Sequence, residues 1–296
     1  MILIADSGST KTHWTLVTAS GHSQDYSTDG INPFFLSEEQ VENIIEYQLM
    51  PQLSKQLWAG TVTRIFFYGA GCTPEKSGIV SNALRHSGLS MSGNFRVEVA
   101  SDMLGAARGL LQRGKGIACI LGTGSNSALY DGSGIVRQVP ALGFILGDEG
   151  SGSVLGRQLV SDILKNQLPE DLREDFFRQY PLTQADIIER VYRQPMPNRF
   201  LASFSPFCQE HKEHPAIQAL LYRHFNLFVT RILLQYYSTE DEKGSMPIGF
   251  VGSVAYYYQD ILNRVLNDHH LRAGQIVQDP IEGLKQYHLP DVEPTT

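Results

Sequence analysis

Cysteine, positive charge and long apolar runs are all scarce in this sequence. It has three cysteines in 296 residues, too few and too far apart for a disulfide framework, which favours a reducing compartment. No window approaches 18 uninterrupted apolar residues, so we expect neither a membrane span nor a membrane partner. The N-terminus also lacks the basic start and long apolar core of a signal peptide, and we therefore expect a cytoplasmic protein.

The balance of charge excludes a further class of function. Lys and Arg total 24 against 31 Asp and Glu, which gives a formal net charge of −7. A surface of that sign does not coat phosphates, so no nucleic-acid partner is expected. An anionic small molecule can still bind, but only through local donors.

What the sequence does contain is enough apolar material for two domains and a slight excess of glycine. Hydrophobic residues make up 42% of the chain, and at about 150 residues per domain its length predicts about two domains. Its 27 glycines are about 9% of the 296 residues, which is above the usual share of about 7%. Where glycines cluster, such an excess indicates tight turns or close approach of the backbone to a ligand.

The order of predicted elements is α/β and occurs twice. Strands at 2–5, 13–18 and 23–27 precede an alternation of helices and strands up to residue 112, with Ser37 as the N-cap of a helix over 37–57. A strand at 116–121 then begins a similar order, with long helices over 151–180, 215–237 and 253–268. We therefore predict two α/β lobes with a cleft between them.

The first glycine cluster is DSGSTKT, between two predicted strands. Gly8 permits a tight turn whose amides face an anion, Lys11 adds a cation, and Asp6 suits water-mediated binding of Mg²⁺. Further hydroxyl donors are Ser9, Thr10 and Thr12. The alternative is an ordinary hairpin turn.

The second cluster is LGTGSNS, again between strands. Gly122 and Gly124 let amides approach a phosphate, and Thr123 and Ser125 supply hydroxyls. A dinucleotide-binding loop is disfavoured, because that motif opens a helix whereas this one leads into an alternating, strand-like segment. A plain glycine hairpin is the alternative here too.

The third cluster places Asp148 and Glu149 among glycines just before a helix, in GDEGS. Carboxylates in such a place accept hydrogen bonds from the vicinal hydroxyls of a sugar. Alternatively, Ser151 or Ser153 caps the helix and the two acids only complement its dipole.

Two more strand ends complete the set. In GFVGSVA, Gly252 and Ser253 form a small-residue turn against which a base or ribose can lie, unless it is a plain connection from strand to helix. Asp102 follows the strand FRVEVAS, a good position for a general base, although as the N-cap of the next helix it would need no chemical role.

These motifs in this order resemble the N-acetylglucosamine kinase family (the BadF/BadG-type ATPase group) of the sugar kinase–actin–chaperone ATPase superfamily, over nearly the whole chain. The resemblance implies an α/β fold of two ribonuclease H-like lobes, the actin/hexokinase-like ATPase fold, with the active site in the interlobe cleft. The expected lobes are 1–104, with the C-terminal helix 281–296 as a further part of it, and 105–280.

The resemblance also implies an activity and the residues that carry it. The expected activity is ATP-dependent phosphorylation of an amino sugar, with N-acetylglucosamine and its 6-hydroxyl as the first choice, ATP and Mg²⁺ as cofactors, and a homodimer as the assembly. Asp102 is then the catalytic base and lies at the sugar. Cofactor binding falls to Asp6 (beside the metal), Gly8, Ser9, Thr10, Lys11, Gly122, Thr123, Gly124, Ser125, Gly252 and Ser253, and sugar binding to Asn32, Asp102, Thr123 and Asp148.

One stretch departs from the family pattern. Relatives carry Gly-Gly-aromatic-Gly just before GDEGS, near the N-acetyl group of the sugar, whereas this chain has Ala141, Leu142 and Gly143 in PALGF. Phosphorylation of another hexose or of N-acetylmuramic acid is therefore an open alternative. The motifs also allow an iron–sulfur ATPase that activates a partner enzyme, which the isolated cysteines disfavour, and a sugar-sensing relative without kinase activity.

Overall fold

The protein divides into two compact α/β units. The computed structural model describes residues 1–8, 10–18, 20–57, 61–89, 95–239, 243 and 245–291. The first unit contains Met1–Gly114, Gly132–Gly134 and the described residues 279–291; the second contains Lys115–Asp131 and Ile135–Gln278. The predicted α/β fold class is confirmed. Within the described ranges, no helix has both the length and the apolar character needed to cross a bilayer.

The first unit is built on a mixed five-stranded sheet in the order β3-β2-β1-β4-β5. Its strands are β1 (Ile2–Ser7), β2 (Lys11–Val17), β3 (Ser23–Asp29), β4 (Arg64–Gly69) and β5 (Arg96–Ser101). The short turns after β1 and β2 make those pairs antiparallel, whereas the helical crossovers make β1, β4 and β5 parallel. The carboxyl ends of β1, β4 and β5 therefore meet at one edge.

Helices cover both faces of this sheet. They are α1 (Glu38–Ile44), a π-helical turn (Ile45–Leu49) that continues into α2 (Met50–Leu57), α3 (Ser77–His86), α4 (Asp102–Leu111) and α14 (Ile281–His288). The predicted cap of the first helix is confirmed: the Gln40 amide donates to Ser37 Oγ, and the Ser37 amide donates to Gln40 Oε1.

The second unit repeats the strand order of the first. Read from the equivalent edge, its sheet runs β8-β7-β6-β9-β10. The strands are β6 (Gly116–Leu121), β7 (Ser125–Tyr130), β8 (Ile135–Gln138), β9 (Ile248–Val251) and β10 (Ala273–Val277). Its helices are α5 (Gly143–Leu146), α6 (Gly152–Leu164), α7 (Glu170–Gln179), α8 (Gln184–Tyr192), α9 (Pro197–Ala202), α10 (Ser205–Glu210), α11 (Pro215–Arg231), α12 (Ser253–Tyr257) and α13 (Gln259–Asp268). A 3₁₀ turn at Leu233–Tyr236 follows α11.

Two long helices predicted for this unit are wrong, since each is two helices. The stretch 151–180 breaks between α6 and α7, where Asn166 has a φ of 55° and Pro169 precedes α7. The stretch 253–268 breaks at Tyr258. Helical spacing continues through both breaks because each half buries an apolar face against the same core, so periodicity alone does not show them.

In the first unit, α4 and α14 approach so closely that only glycine fits between them. A Cβ on Gly283 would lie 2.9 Å from the Cα of Gly109, and one on Gly109 would lie 2.9 Å from the carbonyl oxygen of Pro280. This contact sets the position of α4, whose first residue is Asp102.

We predict that Gly283→Ala lowers the free energy of unfolding by about 1–3 kcal/mol, because the added methyl group pushes the helices apart. Gly78→Ala in α3 is the control, since a Cβ there meets open space and alanine favours the helix. Urea unfolding of both variants measures the difference. Equal midpoints for the two variants would show that the packing between α4 and α14 tolerates the methyl group.

Candidate active site

Two aspartates predicted from separate motifs lie at the same edge of the first sheet. Asp6 is next to last in β1, and Asp102 directly follows β5. Burial, followed by the charges of Asp102 and Asp279, raises the pKa of Asp6 to about 7. The charge of Asp102 therefore opposes the ionisation of Asp6, and a bound cation would relieve that repulsion.

Asp102 is not the cap of its helix. The cap is Ser101, whose Oγ accepts a hydrogen bond from the Leu104 amide at 3.2 Å. Asp102 is a half-buried residue, and its carboxylate accepts a hydrogen bond from the amide of Met103 at 2.8 Å. Burial raises its pKa above the ordinary value. Asp102 is thus a carboxylate at a strand end that the helix does not need as a cap.

The first glycine loop is a tight turn between β1 and β2. The Gly8 amide donates to the Lys11 carbonyl at 3.0 Å, and Thr10 and Lys11 are exposed. Ser9 lies outside the described residues. The interpretation of Thr12 as a ligand donor is wrong, because its buried hydroxyl donates to the Asp29 carbonyl at 3.0 Å and bonds Ser7 Oγ at 2.7 Å.

Sequence reasoning missed two residues beside Asp6. His13 pairs with Asp6 across the β1–β2 ladder, and its Nδ1 lies 3.6 Å from Oδ2 of Asp279. A hydrogen bond to Asp279 raises the pKa of His13, and that of Asp279 is lowered in turn. His13 was predictable from the sequence, because pairing β1 with β2 across the short turn puts it opposite Asp6. Asp279 was not, because it lies 273 positions after Asp6.

Asn32 lies close to the first loop through its neighbour. The Ile31 amide donates to Ser7 Oγ at 3.0 Å. Asn32 is buried, and its Oδ1 accepts from the Phe34 amide at 3.0 Å, which shapes the following turn. Phe34 is 58% exposed. The observed role of the Asn32 side chain is therefore this hydrogen bond within the turn, and its contact with a sugar stays a prediction.

In the second unit, backbone contacts join three of the predicted motifs. Gly122 closes the β6–β7 turn by donating to the Gly124 carbonyl at 2.9 Å, and its own carbonyl accepts from Gly152 at 2.8 Å. The Thr123 carbonyl accepts from the amide of Ser153 at 3.1 Å. Gly252 has a φ of +118°, and a Cβ there would lie 2.7 Å from the Leu121 carbonyl carbon.

The glycine at 252 therefore lets the turn after β9 lie directly against the end of β6. Its amide donates to the Val277 carbonyl at 3.1 Å, which holds it also to β10. Ser253, the first residue of α12, is exposed there. Strand ends from β6, β9 and β10 thus converge on one small-residue surface.

Asp148 completes this cluster. The Ser125 amide donates to its carboxylate, and burial raises its pKa to about 6. A Cβ on Gly124 would lie 3.2 Å from its Oδ2. Ser151, with Oγ accepting from Val154 at 3.2 Å, is the cap of α6, so Asp148 is not needed for that role.

The two acids of GDEGS differ in their surroundings. Glu149 is buried and its Oε1 lies 2.9 Å from Nε of Arg231, an ion pair that sequence reasoning did not anticipate. Because of this ion pair, the Glu149 carboxylate is already bound within the protein. Asp148 is the acid of this pair that remains available to a ligand.

The stretch that departs from the family pattern supports Asp148. The Asp148 amide donates to the Ala141 carbonyl at 2.9 Å. Leu142 and Gly143 both have positive φ, 63° and 72°, and begin the short helix α5. Leu142, Ile145 and Leu146 of this stretch are exposed, at 64%, 71% and 71%. The residues that depart from the family pattern therefore lie next to Asp148, the residue predicted to bind the sugar.

Comparison with known proteins identifies the family. No protein-family model and no curated protein matches the chain. A crystal structure described as a "Putative N-acetylglucosamine Kinase" from Porphyromonas gingivalis has 46% sequence identity and a TM-score of 0.90, and the match covers 98% of this chain and 99% of that one. The chain belongs to the N-acetylglucosamine kinase family.

Two more distant structures share the fold of this kinase. A second "Putative N-acetylglucosamine Kinase", from Chromobacterium violaceum, is 17% identical over 97% of this chain and 98% of that one, with a TM-score of 0.72. A ROK family glucokinase from Streptomyces griseus, in complex with glucose and AMPPNP, is 13% identical over 98% of both chains, with a TM-score of 0.54. The predicted family and the two-lobed sugar-kinase fold are confirmed, and the protein is a sugar kinase.

We predict that Asp6→Asn raises the thermal midpoint at pH 8 by about 2 °C or more. The pKa of Asp6 is raised in the folded state, so its ionisation opposes folding as pH rises from the ordinary value of 3.8 through about 7. The gain should shrink at pH 5, where the folded protein holds Asp6 protonated. Thermal unfolding at both pH values measures it.

Asp260→Asn is the control, since Asp260 is exposed on the second unit. Because Asp260 makes only a surface ion pair with Lys212, this variant should change the midpoint by the same small amount at both pH values. A gain for Asp6→Asn that is the same at pH 5 and pH 8 would contradict the assigned pKa.

Proposed function

We propose that this kinase transfers the γ-phosphoryl group of ATP to the 6-hydroxyl of N-acetylglucosamine. The observation that carries the proposal is the position of Asp102: it lies at the end of a parallel strand, beside Asp6, and the helix after it does not use it as a cap. The printed name of the Porphyromonas protein supports the sugar, and the AMPPNP complex of the Streptomyces glucokinase supports the nucleotide.

Asp102 acts as the general base in this mechanism. Its carboxylate accepts the proton of the sugar hydroxyl as the oxygen attacks the γ-phosphorus, and the bond from that phosphorus to the bridging oxygen breaks to release ADP. The raised pKa of Asp102 brings it nearer to working pH than an ordinary aspartate, which makes it a better proton acceptor.

The phosphates bind to those loop amides that the turns do not use, since the amides of Gly8 and Gly122 close the turns themselves. Gly8, Thr10 and Lys11, with Ser9, serve as one loop, and a second loop contains the residues Gly122, Thr123, Gly124 and Ser125. Gly252 and Ser253 bind the adenosine. Positioning and fixed dipoles supply most of the acceleration in phosphoryl transfer, so an acidic protein needs no basic surface for it.

Asp6 is the proposed Mg²⁺ site. The surroundings of Asp6 fit a divalent cation, because the charges of Asp102 and Asp279 act on it at close range and Mg²⁺ takes carboxylate ligands together with water and phosphate oxygens. When bound, the ion would neutralise charge on the phosphoryl oxygens. His13 limits the repulsion from the other side by pairing with Asp279.

Sugar binding is assigned to Asp148, Asn32 and Thr123. As a carboxylate, Asp148 accepts hydrogen bonds from two vicinal hydroxyls. The exposed Leu142 of PALGF lies in the place that the family fills with glycine and an aromatic residue, and it decides how well an N-acetyl group is accommodated.

The assembly and location of the protein remain predictions. We propose a cytoplasmic homodimer. The domain division expected at 104/105, with the C-terminal helix joined to the first lobe, would cut α4, whereas the structure keeps Met1–Gly114 together with the described residues 279–291 in the first unit. Helix α11 has little apolar surface left for a dimer interface, because residues such as Leu221 and Phe225 pack into the core of the second unit.

We predict that Asp102→Asn lowers kcat by about 10²–10⁴-fold, because the amide accepts no proton. Binding of ATP and of sugar should be nearly unchanged, since the amide keeps the shape and one acceptor oxygen. A coupled assay of ADP release gives kcat, and calorimetry gives the two affinities. Near-normal turnover of this variant would reject Asp102 as the base.

We predict that the KM for the sugar rises as pH falls through about 6, because protonation of Asp148 removes an acceptor for sugar hydroxyls. Asp148→Asn should have a raised KM that no longer changes over this range, whereas Asp260→Asn should keep the wild-type profile.

The same assay over N-acetylglucosamine, glucosamine, glucose and N-acetylmuramic acid identifies the substrate. The largest kcat/KM should belong to N-acetylglucosamine. A larger value for glucose would show that PALGF excludes the N-acetyl group, and ADP release independent of every sugar would point to a sensor or an activating ATPase.

A further inference from the structure

A cavity of about 380 Å³ lies on the first unit, away from the candidate active site. We call it the arginine pocket and define it by Arg64, Arg96, Arg108, Arg113, Tyr287 and His288. Arg64 and Arg96 begin β4 and β5, Arg108 and Arg113 come from α4 and the turn after it, and the two rings come from α14. Its volume suits a small molecule rather than a macromolecule.

The pocket concentrates positive charge in a chain with a net charge of −7. Among the described residues, four arginines and one acid, Glu98, line it. Glu98 pairs with Arg108 at 2.6 Å. Within the part of the chain that the structure describes, neither Arg96 nor Arg113 has a carboxylate within 4 Å. Those two charges are left for a ligand.

The pocket is held in shape by buried contacts. His288 is 2% exposed, stacks on Phe66 with ring centroids 3.7 Å apart, and bonds the Tyr68 hydroxyl through Nε2 at 2.8 Å. Arg108 donates to the same hydroxyl at 2.7 Å, while its buried Nε has no hydrogen-bond partner among the described residues. An unpaired buried N–H of this kind is costly and favours a bound acceptor.

Two of the arginines pack against the ring of Tyr287. The guanidinium of Arg108 lies 5.1 Å from the centroid of the Tyr287 ring and that of Arg113 lies 4.5 Å from it. Arg113 also donates to the Tyr287 hydroxyl at 3.3 Å. Stacking on the ring orients the planar guanidinium groups, which lowers the entropy that binding would cost.

The pocket lies at the opposite end of the sheet from the aspartates. Arg64 and Arg96 begin strands whose carboxyl ends lead to Gly69 and Ser101, and five residue steps span about 16 Å. Helix α4 connects the two ends, because it begins at Asp102 and carries Arg108 in its last turn. A ligand in the pocket would therefore contact the helix that positions the proposed base.

We propose that the arginine pocket binds a compact multivalent anion, a small phosphate ester or diphosphate. Planar guanidinium groups pair with phosphate oxygens through two parallel hydrogen bonds, which a lysine cluster does not reproduce. A polycarboxylate shares this chemistry, so the test includes one. A nucleic acid is disfavoured by the size of the cavity and the overall negative charge.

The test is calorimetric titration of the full chain at constant ionic strength with pyrophosphate and, separately, with citrate. The variant is Arg96→Ala together with Arg113→Ala, both exposed residues. The matched control is Arg85→Ala, an exposed arginine of the same unit on α3. Thermal midpoints without anion confirm that the variants fold. Each single variant is measured as well.

The wild type and the control should bind pyrophosphate with the same Kd, and the double variant should bind at least tenfold more weakly, with the single variants between them. An equal loss for citrate would show that the pocket takes any compact polyanion, and a loss for pyrophosphate alone would show a phosphate site. No binding of pyrophosphate by the wild type up to about 10 mM, or equal affinity in all variants, would overturn the proposal.

Discussion

The burial of the Asp6 carboxyl group, together with its repulsion by other carboxylates at one edge of the first sheet, is the constraint on which the chemistry of this unit depends. Asp6 is held where burial and the charges of Asp102 and Asp279 raise its pKa to about 7. His13 offsets part of this cost, because its charge lowers the pKa of Asp6 and it pairs with Asp279. Such a site costs stability and gains affinity for a cation and for an acceptor hydroxyl.

Charge is segregated along the same sheet. Its carboxyl edge carries aspartates and its amino end carries arginines, and α4 runs between them with Asp102 as its first residue and Arg108 in its last turn. The close packing of Gly109 against α14 holds that helix in place. The second unit uses a different device, since backbone bonds such as Gly152 to Gly122 fasten one glycine loop to the next. An anion there would meet amides held by the fold rather than mobile basic side chains.

Several local features could be predicted from the sequence, because they depend on nearby residues. Ser37 caps its helix through a residue three positions away, and the glycine turns follow strands of clear apolar pattern. The breaks at Tyr258 and before Pro169 were missed, because both halves of each helix face one core and keep one period. Thr12 was misassigned, because a hydroxyl beside a glycine loop looks the same whether it points to a ligand or to the Asp29 carbonyl.

The α/β class, the strand-end motifs, their order and the family they indicate can all be predicted from the amino-acid sequence. These properties depend on the type and spacing of residues, which a linear chain displays directly. Other features are visible only in the folded protein. The charges of Asp102 and Asp279 act on Asp6, Ser101 rather than Asp102 caps α4, and Glu149 forms an ion pair with Arg231. Arginines from β4, β5, α4 and the turn after α4 line one pocket with α14. Those facts depend on the distance between residues far apart in the chain, such as Tyr68 and His288, and such distances exist only after strands and helices have packed.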